Sequence, residues 1–349
     1  MSNLTGVVVP ESILIVGAGP IGLACAISAR RRGLDPLVID AGAIADSIVR
    51  YPVGLTFFTT PERLEIGGHP LVCSGAKATR EEALKYYRGV ARAEQLRIRT
   101  YLRLLGAERR PGGAGIHCRL ESRLGPEELR CDRLVLATGY FDHPNPLDVP
   151  GEHLPHVSHY ADEPHLSSGL RIVIVGGKNS AVEHALNCFR AGAQVTLVYR
   201  RQELRPTVKY WLKPDLENRI KAGEIAARWG ARVTGIDPEA VSIHIEGNGS
   251  ERVPADRVYL LTGFHPDFEL FRRIGITLDP DTCRPELNPE TLESGVPGVH
   301  LAGSVTAGKK ISEIFIENGR YDGEKIFGDA AARAAVAELA RRERRSVGE

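Results

Sequence analysis

A cluster of glycines between two short apolar runs, near the start of the chain, constrains the fold more than any other feature. Residues 12–16 form a β-branched run typical of a buried parallel strand, and residues 37–40 form a second such run. Between them lie the glycine cluster 17–22 and then residues 23–32, which predict a helix with Gly33 as its C-terminal cap. The pattern therefore predicts a β-α-β unit.

The glycines of this cluster have the spacing of a dinucleotide-binding turn. Gly17 permits a tight turn out of the strand, Gly19 lets a pyrophosphate approach the backbone, and Gly22 lets the helix pack closely on the strand. Asp40 ends the second run, where a carboxylate accepts hydrogen bonds from ribose hydroxyls and repels a 2′-phosphate. The first unit is thus predicted to bind the ADP half of FAD, or NAD, and not NADP.

The same pattern returns later in the chain. Residues 171–175 predict a strand, residues 182–191 a helix, and residues 194–199 the next strand. The glycine turn differs, because Gly176 and Ala181 hold its first and last positions but Lys178 holds the middle one. This lysine either contacts a phosphate or points outward. Two such units predict an α/β protein with two Rossmann-like dinucleotide-binding domains.

Arginines end the strand of the second unit, where an acid ends the strand of the first. Arg200 and Arg201 can pair with a 2′-phosphate through bidentate hydrogen bonds, which favours NADPH over NADH. The alternative is that both are surface residues in a chain with 36 arginines and nine lysines. Asn179 and Ser180 either cap the helix or donate hydrogen bonds to the pyrophosphate.

Three later turns complete the pattern. Leu136-Ala-Thr-Gly139 and Leu260-Leu-Thr-Gly263 each place a glycine at the close of a nucleotide-binding unit. Residues 298–303 predict a strand and a tight turn, and residues 311–320 predict a helix. In a flavoprotein with two nucleotides, this turn and helix N-terminus would approach the flavin and stabilise negative charge on its reduced ring.

Charge and cysteine usage exclude several classes of protein. Lys and Arg total 45 and Asp and Glu total 44, so the net charge of +1 indicates neither nucleic acid nor an anionic membrane as partner. Residues 12–29 carry no charge, but their glycines would break a membrane-spanning helix. The six cysteines form no C-x-x-C pair, and His156, His159 and His165 indicate a loop, not a metal site. We predict a cytoplasmic protein with reduced thiols.

Several further stretches carry a resemblance to a known family. They are Tyr51-Pro-Val-Gly-Leu-Thr-Phe-Phe-Thr-Thr60 with Leu64-Glu-Ile-Gly67, then Gly176-Gly-Lys-Asn-Ser-Ala-Val182, then Phe315-Ile-Glu-Asn-Gly319. Together with the glycine turns, they resemble the bacillithiol disulfide reductase (YpdA-type) family. That family lies within the low-molecular-weight thioredoxin-reductase-like flavoproteins with two dinucleotide-binding domains. The resemblance covers about residues 11–328.

The resemblance implies one FAD per subunit, NADPH as reductant and a homodimer that reduces a low-molecular-weight disulfide. It implies an FAD-binding domain made of residues 1–160 and 290–349, with the NADPH-binding domain, residues 161–289, inserted in it. The candidate FAD contacts are Gly17, Gly19, Pro20, Gly22, Asp40, Tyr51, Phe58, Gly139, Gly303 and Ile311. The candidate NADPH contacts, from the motif and the resemblance together, are Gly176, Gly177, Lys178, Asn179, Ser180, Arg200 and Arg201.

Two departures from the relatives leave the catalytic residues undefined. Thioredoxin reductases carry a C-x-x-C before the second glycine turn, where this chain has Val157-Ser-His-Tyr-Ala-Asp162. Many relatives of the bacillithiol type carry a cysteine inside the first glycine turn, where this chain has Ile21. Cys25, one helical turn later, is expected to be buried like a small apolar residue.

Three alternative functions therefore stay open beside disulfide reduction. They are a ferredoxin/flavodoxin–NADP reductase of the thioredoxin-reductase type, a flavin monooxygenase, and a nucleotide-sensing module without turnover. In the first of these, the electron acceptor would be a small redox protein and not a small-molecule disulfide.

Overall fold

The computed structural model describes residues 9–109 and 115–346, and these contain a mixed set of strands and helices. The strands are β1 (Val9–Val16), β2 (Leu37–Ile39), β3 (Arg97–Arg99), β4 (Leu102–Glu108), β5 (Ile116–Ser122), β6 (Gly125–Leu136), β7 (His143–Pro144), β8 (Val157–Ser158), β9 (Arg171–Val175), β10 (Gln194–Tyr199), β11 (Ala226–Trp229), β12 (Ala231–Asp237), β13 (Ala240–Ile245), β14 (Gly249–Pro254), β15 (Arg257–Leu260), β16 (Phe264–His265) and β17 (Val299–Leu301). The α-helices are α1 (Pro20–Arg30), α2 (Asp46–Val49), α3 (Pro61–Leu64), α4 (Arg80–Ala93), α5 (Asn179–Arg190), α6 (Lys213–Lys221), α7 (Phe268–Ile274), α8 (Ile316–Gly319), α9 (Asp322–Phe327) and α10 (Ala330–Ser346).

The chain divides into two compact units. The first lies within residues 1–49, 54–143 and 265–349, and the second comprises residues 50–53 and 144–264. These divisions differ from the predicted domain boundaries at 160/161 and 289/290. Strand β8 belongs to the second unit because it pairs with β15 there. Helix α7 belongs to the first because its apolar side chains are buried in that unit's core.

The first unit is built on a seven-stranded sheet with the order β3-β2-β1-β6-β5-β4, and β17 also pairs with β6. Strands β3, β2, β1, β6 and β17 run parallel, whereas β4 and β5 pair antiparallel beside them. The direction of chain progression reverses between β1 and β6. Ligands of open α/β sheets bind at the carboxyl ends of strands flanking such a switch point.

The second unit repeats this plan on a smaller scale. Its five-stranded parallel sheet has the order β11-β10-β9-β15-β8, and β12, β13 and β14 form a separate antiparallel sheet. One face of the parallel sheet is buried against α5, and the other contributes to a core with the antiparallel sheet. The predicted α/β class with two Rossmann-like units is confirmed.

One predicted helix is wrong. Residues 311–320 do not form a single helix, because a 3-10 turn, Ile311–Glu313, is separated from α8 by two residues in extended conformation. Ile314 has φ −122° and Phe315 has φ −120°. The side-chain oxygen of Asn318 accepts a hydrogen bond from the Phe315 N–H at 2.8 Å, which starts α8 afresh at this point.

Candidate functional site

The first glycine turn leaves β1 and enters α1 through two positions that only glycine fits. Gly17 has φ +111°, and a Cβ there would lie 2.3 Å from the carbonyl oxygen of Ala137. A Cβ on Gly22 would lie 1.8 Å from the carbonyl oxygen of Gly17. The predicted roles of both glycines, a tight turn and close helix packing, are therefore confirmed by the geometry.

Gly19 differs from its two neighbours. It is the N-cap residue of α1 with φ −74°, Pro20 follows at the first helical position, and no side chain caps the helix. A Cβ on Gly19 would meet nothing within 4 Å. The unsubstituted backbone thus leaves open space before a helix N-terminus, where N–H groups and the helix dipole favour a phosphate.

Asp40 lies beside this turn, as its position after β2 predicts. One carboxylate oxygen accepts a hydrogen bond from the Ala18 N–H and the other from the Gly42 N–H, both at 2.7 Å. Burial raises the pKa of Asp40 above its ordinary value, while these two N–H groups oppose the shift. Each oxygen keeps a lone pair for a further donor, such as a ribose hydroxyl.

The end of β6 contributes a polar group that the sequence reasoning did not select. The hydroxyl oxygen of Thr138 is buried and has no hydrogen-bond partner within the described residues. A Cβ on Gly17 would lie 3.3 Å from the Thr138 backbone nitrogen, so this threonine lies directly beside the glycine turn. Gly139 follows with φ +69° and open space around it. Buried hydroxyls without a partner are rare, and this one marks a place for a ligand atom.

Gly303 is brought to the same turn through Ile21. A Cβ on Gly303 would lie 3.1 Å from the Ile21 side chain, and one on Gly319 would lie 3.0 Å from it. The Gly303 N–H donates to the buried carboxylate of Asp322 at 2.8 Å. Ile21 thus fills the space between α1, the turn at 303 and α8, and this explains why both neighbours are glycines.

The second glycine turn has the same backbone arrangement as the first, but different side chains surround it. Gly176 has φ +151°, and a Cβ there would lie 2.6 Å from the Leu261 carbonyl oxygen. A Cβ on Gly177 would lie 2.5 Å from the ring of Tyr199. Lys178 is the exposed N-cap residue of α5, and no side chain caps this helix. The capping role considered for Asn179 and Ser180 is therefore wrong.

Positive charge gathers at this second turn. Partial desolvation, and then the charges of Arg205 and Arg200, lower the pKa of Lys178 below its ordinary value. Arg200 and Arg201 are both exposed at the end of β10. Arg205 is a member of this cluster that the sequence reasoning missed, although it follows Arg201 by only four residues.

These cations differ from most of the other arginines of the second unit. Within the described residues, no acidic side chain forms an ion pair with Lys178, Arg200, Arg201 or Arg205. By contrast, six arginines of the same unit do form ion pairs with Asp or Glu, namely Arg171, Arg190, Arg219, Arg228, Arg252 and Arg257. A cluster of unpaired cations at a helix N-terminus has the character of an anion site, which a general excess of surface arginine does not explain.

Comparison with known proteins places the chain in a family. Residues 14–303 match the family described as pyridine nucleotide-disulphide oxidoreductase. Bacilliredoxin reductase Bdr of Bacillus subtilis (strain 168) is 37% identical over 93% of this chain and 99% of its own length. The structure of bacillithiol disulfide reductase Bdr (YpdA) from Bacillus cereus is 36% identical, with a TM-score of 0.88 over 94% of this chain and 99% of that one. The chain belongs to the Bdr (YpdA) family.

A second kind of relative is also similar to this Bdr-family chain. A ferredoxin–NADP reductase of Ignicoccus hospitalis is 29% identical over 90% of this chain and 96% of its own length. Both kinds of relative are oxidoreductases by name, and the pyridine nucleotide-disulphide family uses a flavin and a nicotinamide nucleotide. The protein is therefore an oxidoreductase of this type.

The residues at the first turn of this Bdr-family protein fit a nucleotide-linked flavin. Gly19 leaves the space, Asp40 keeps free acceptor positions, and the hydroxyl of Thr138 lacks a partner. Three other predicted FAD contacts, Tyr51, Phe58 and Ile311, are not part of the turn itself. Tyr51 belongs to the short segment 50–53 that groups with the second unit, and the Phe58 side chain is 52% exposed. Ile311 begins the 3-10 turn and is half-buried.

The thiols of this family member are mostly buried. Cys25 is fully buried, as predicted, and burial raises its pKa well above the ordinary value, with Asp322 and Glu324 adding to the shift. The sulfur atoms of Cys118 and Cys131 are 3.9 Å apart within the core of the first unit. Of the six cysteines only Cys73 is not buried, and its thiol donates to the Gly75 carbonyl at 3.1 Å. A buried, protonated thiol is a poor nucleophile, and the surroundings of Cys25 are those of a packing residue.

Within the described part of the chain, no helix combines the length and the apolar character needed to cross a membrane.

Proposed function

We propose that this protein is an FAD-containing, NADPH-dependent reductase of a low-molecular-weight disulfide, active as a homodimer in the cytoplasm. The first unit would hold FAD and the second NADPH. The observation that carries the proposal is the opposite charge of the two turns, an acceptor-rich Asp40 in one and four unpaired cations in the other.

At the first turn, the chain's own residues would bind and orient the dinucleotide. The α1 N-terminus and the open backbone at Gly19 would receive the pyrophosphate, and Asp40 would accept hydrogen bonds from the adenosine ribose. The Thr138 hydroxyl would gain the partner that it lacks within the protein. Bound flavin would supply the two-electron chemistry between a nicotinamide nucleotide and an acceptor.

At the second turn, the charges favour NADPH over NADH. A 2′-phosphate would relieve the mutual repulsion of Lys178, Arg200 and Arg205, whereas a ribose hydroxyl would not. At the end of β2, by contrast, the charged group is the Asp40 carboxylate, which is negative. The first turn would therefore disfavour a 2′-phosphate. The two turns would therefore take different nucleotides without competing for them.

The acceptor is proposed by likeness to relatives whose names include bacillithiol disulfide reductase. The net reaction, NADPH + H⁺ + RSSR → NADP⁺ + 2 RSH, balances without a protein thiol. This matters because Ile21 occupies the glycine turn and Cys25 is fully buried behind it. The small disulfide would accordingly exchange electrons with the cofactor and form no mixed disulfide at these positions.

A ferredoxin–NADP reductase is the second candidate, because a relative of that name matches 90% of the chain. It would use the same two nucleotides but pass single electrons to a small redox protein. The two functions differ in the acceptor alone, so the acceptor must be varied in the test.

The test is reoxidation of the NADPH-reduced holoprotein in an anaerobic stopped-flow instrument, followed at 450 nm. Bacillithiol disulfide, oxidised ferredoxin and dissolved oxygen serve as separate acceptors, each mixed with the reduced protein in its own experiment. We expect the small disulfide to reoxidise the protein at least about tenfold faster than either of the others. Fast reoxidation by ferredoxin alone would support the second candidate and contradict the first.

A further inference from the structure

The segment that joins β10 to α6, residues 200–212, brings several charged groups beside the second glycine turn. We refer to it as the 200–212 loop. Its apolar side chains Leu204, Val208 and Leu212 are buried in the core of the second unit. Its backbone forms two successive turns, since Val208 N donates to Arg205 O at 3.1 Å and Leu212 N donates to Lys209 O at 3.0 Å.

A side chain from α5 holds this loop at the junction of the two turns. The amide oxygen of Asn179 accepts a hydrogen bond from the Lys209 N–H at 2.9 Å. Asn179 is the first residue of α5 and directly follows Lys178, the N-cap residue. The hydrogen bond therefore ties the glycine turn, with Lys178, to the loop that carries Arg205.

The order of these contacts matters for the cation cluster. Desolvation is the main cause of the lowered pKa of Lys178, and the charge of Arg205 adds to it, so Arg205 lies within electrostatic range of this lysine. The Arg205 carbonyl closes the first loop turn, and Lys209 opens the second. Because Asn179 binds the backbone at Lys209, it fixes the turn that presents Arg205 and not the arginine side chain itself.

We propose that Asn179 is a positioning residue, which holds the 200–212 loop so that Arg205 and Lys178 meet the 2′-phosphate of the bound nucleotide. The inference rests on the proposed use of NADPH by this unit. The amide oxygen of Asn179 accepts a hydrogen bond from the protein's own backbone. The family resemblance implies instead that this residue contacts the nucleotide directly.

The two roles make different predictions about NADH. A residue that binds the pyrophosphate would help NADPH and NADH equally, because both nucleotides contain it. A residue that positions Arg205 would help only NADPH, because only NADPH has the 2′-phosphate. The ratio of the two Michaelis constants therefore separates positioning from direct contact.

The kinetic experiment compares Asn179→Ala with the unsubstituted holoenzyme. We expect KM for NADPH to rise about fivefold to tenfold, KM for NADH to change less than about twofold, and kcat to stay within about twofold. Asn187→Ala is the matched control, since it makes the same change on the same helix, away from the loop. An equal rise in both Michaelis constants, or no rise in either, would overturn the proposal.

A second measurement needs no nucleotide. The chain has two tryptophans, Trp211 in the loop and Trp229 in β11, so Trp229→Phe leaves Trp211 as the single reporter. In that background, we expect Asn179→Ala to raise the acrylamide quenching constant of Trp211 at least about twofold. Asn179→Asp keeps the acceptor oxygen and should restore the original value. Unchanged quenching in the alanine variant, or failure of aspartate to restore it, would overturn the proposal.

The two measurements also separate this inference from the proposed function. Equal Michaelis constants for NADPH and NADH in the unsubstituted protein would contradict the use of NADPH, and with it the selectivity that Asn179 is proposed to provide. If the protein prefers NADPH but Asn179→Ala keeps that preference and the quenching constant, only the positioning role fails.

Discussion

The two glycine turns share one backbone arrangement and differ in what surrounds it. In each, the first glycine donates its N–H to the end of the next strand, Gly17 to Ile39 O at 2.7 Å and Gly176 to Val198 O at 3.0 Å. Each glycine also lies under a carbonyl that follows the neighbouring strand, that of Ala137 or Leu261.

The side chains around the two turns are opposite in charge, and they leave different amounts of open space. The first has open space at Gly19 and the carboxylate of Asp40 bound to the turn's backbone. The second has the Tyr199 ring packed against Gly177, an exposed lysine at the N-cap, and unpaired arginines at the strand end. Both units therefore have a helix N-terminus of the kind that favours an anion, and in the proposed function the charge at the strand end decides which nucleotide binds.

The largest expected effect separates packing from binding within the first turn. In Gly22→Ala, the new Cβ would lie 1.8 Å from the Gly17 carbonyl, so we expect a loss of at least about 3 kcal/mol in stability and no bound flavin. In Gly19→Ala, the methyl group meets nothing within 4 Å, so the melting temperature should stay close to the original while flavin retention falls. Thermal denaturation and the absorbance ratio at 450 and 280 nm measure both. A Gly22→Ala protein with full flavin would refute this reading of the turn.

The next effect concerns His184 of α5 and the stability of the protein in acid. His184 of α5 is buried with its ring 4.4 Å from that of Tyr259, and burial lowers its pKa to about 4. In the unfolded chain, His184 is protonated near its ordinary pKa of about 6.5. The free energy of unfolding is therefore not reduced by this group above that pH, and it decreases as the pH drops toward 4. The loss attributable to His184 reaches about 3 kcal/mol.

The measurement is urea unfolding followed by tryptophan fluorescence, because both tryptophans lie in the second unit. His184→Leu should flatten the decline of the unfolding free energy between pH 6.5 and 4, while the exposed His244→Gln should leave the slope unchanged. Parallel slopes in the His184→Leu protein and the original would contradict a neutral, buried imidazole.

The smallest of the three effects tests the charge of the second turn. Replacing Arg200 and Arg201 by glutamine removes two cations that pair with no acid in the described residues. We expect KM for NADPH to rise at least about tenfold, with KM for NADH nearly unchanged. Arg252→Gln is the control, because that exposed arginine is paired with Asp237 instead. If the NADPH/NADH ratio stays constant, these arginines do not read the 2′-phosphate.

Much of the fold could be predicted from the sequence because its signals are local. The strands at 171–175 and 194–199 coincide with β9 and β10, since short β-branched runs bounded by glycines have few alternatives. The positions of Gly17, Gly22 and Asp40 also follow from local spacing, and the structure brings them together at one turn.

The remainder depends on contacts between distant residues, which spacing does not encode. Thr138 becomes an unpartnered hydroxyl only because β6 lies beside β1 in the sheet. The position of Asn179 in the sequence suits a helix-capping residue, but its side-chain oxygen accepts a hydrogen bond from the backbone N–H of Lys209, 30 residues later. The helix predicted at 311–320 is interrupted at two residues in extended conformation, beside glycines against which Ile21 packs.

The most direct test of the account is an anaerobic reductive titration of the holoprotein with dithionite, followed at 450 nm. We propose that one flavin is the whole redox centre, with no thiol of the glycine turn or of α1 taking part, because Cys25 is buried and Ile21 occupies the turn. We predict complete bleaching after two electrons per flavin, and the same endpoint in Cys25→Ala. Uptake of four electrons per flavin, reduced to two by that substitution, would contradict it.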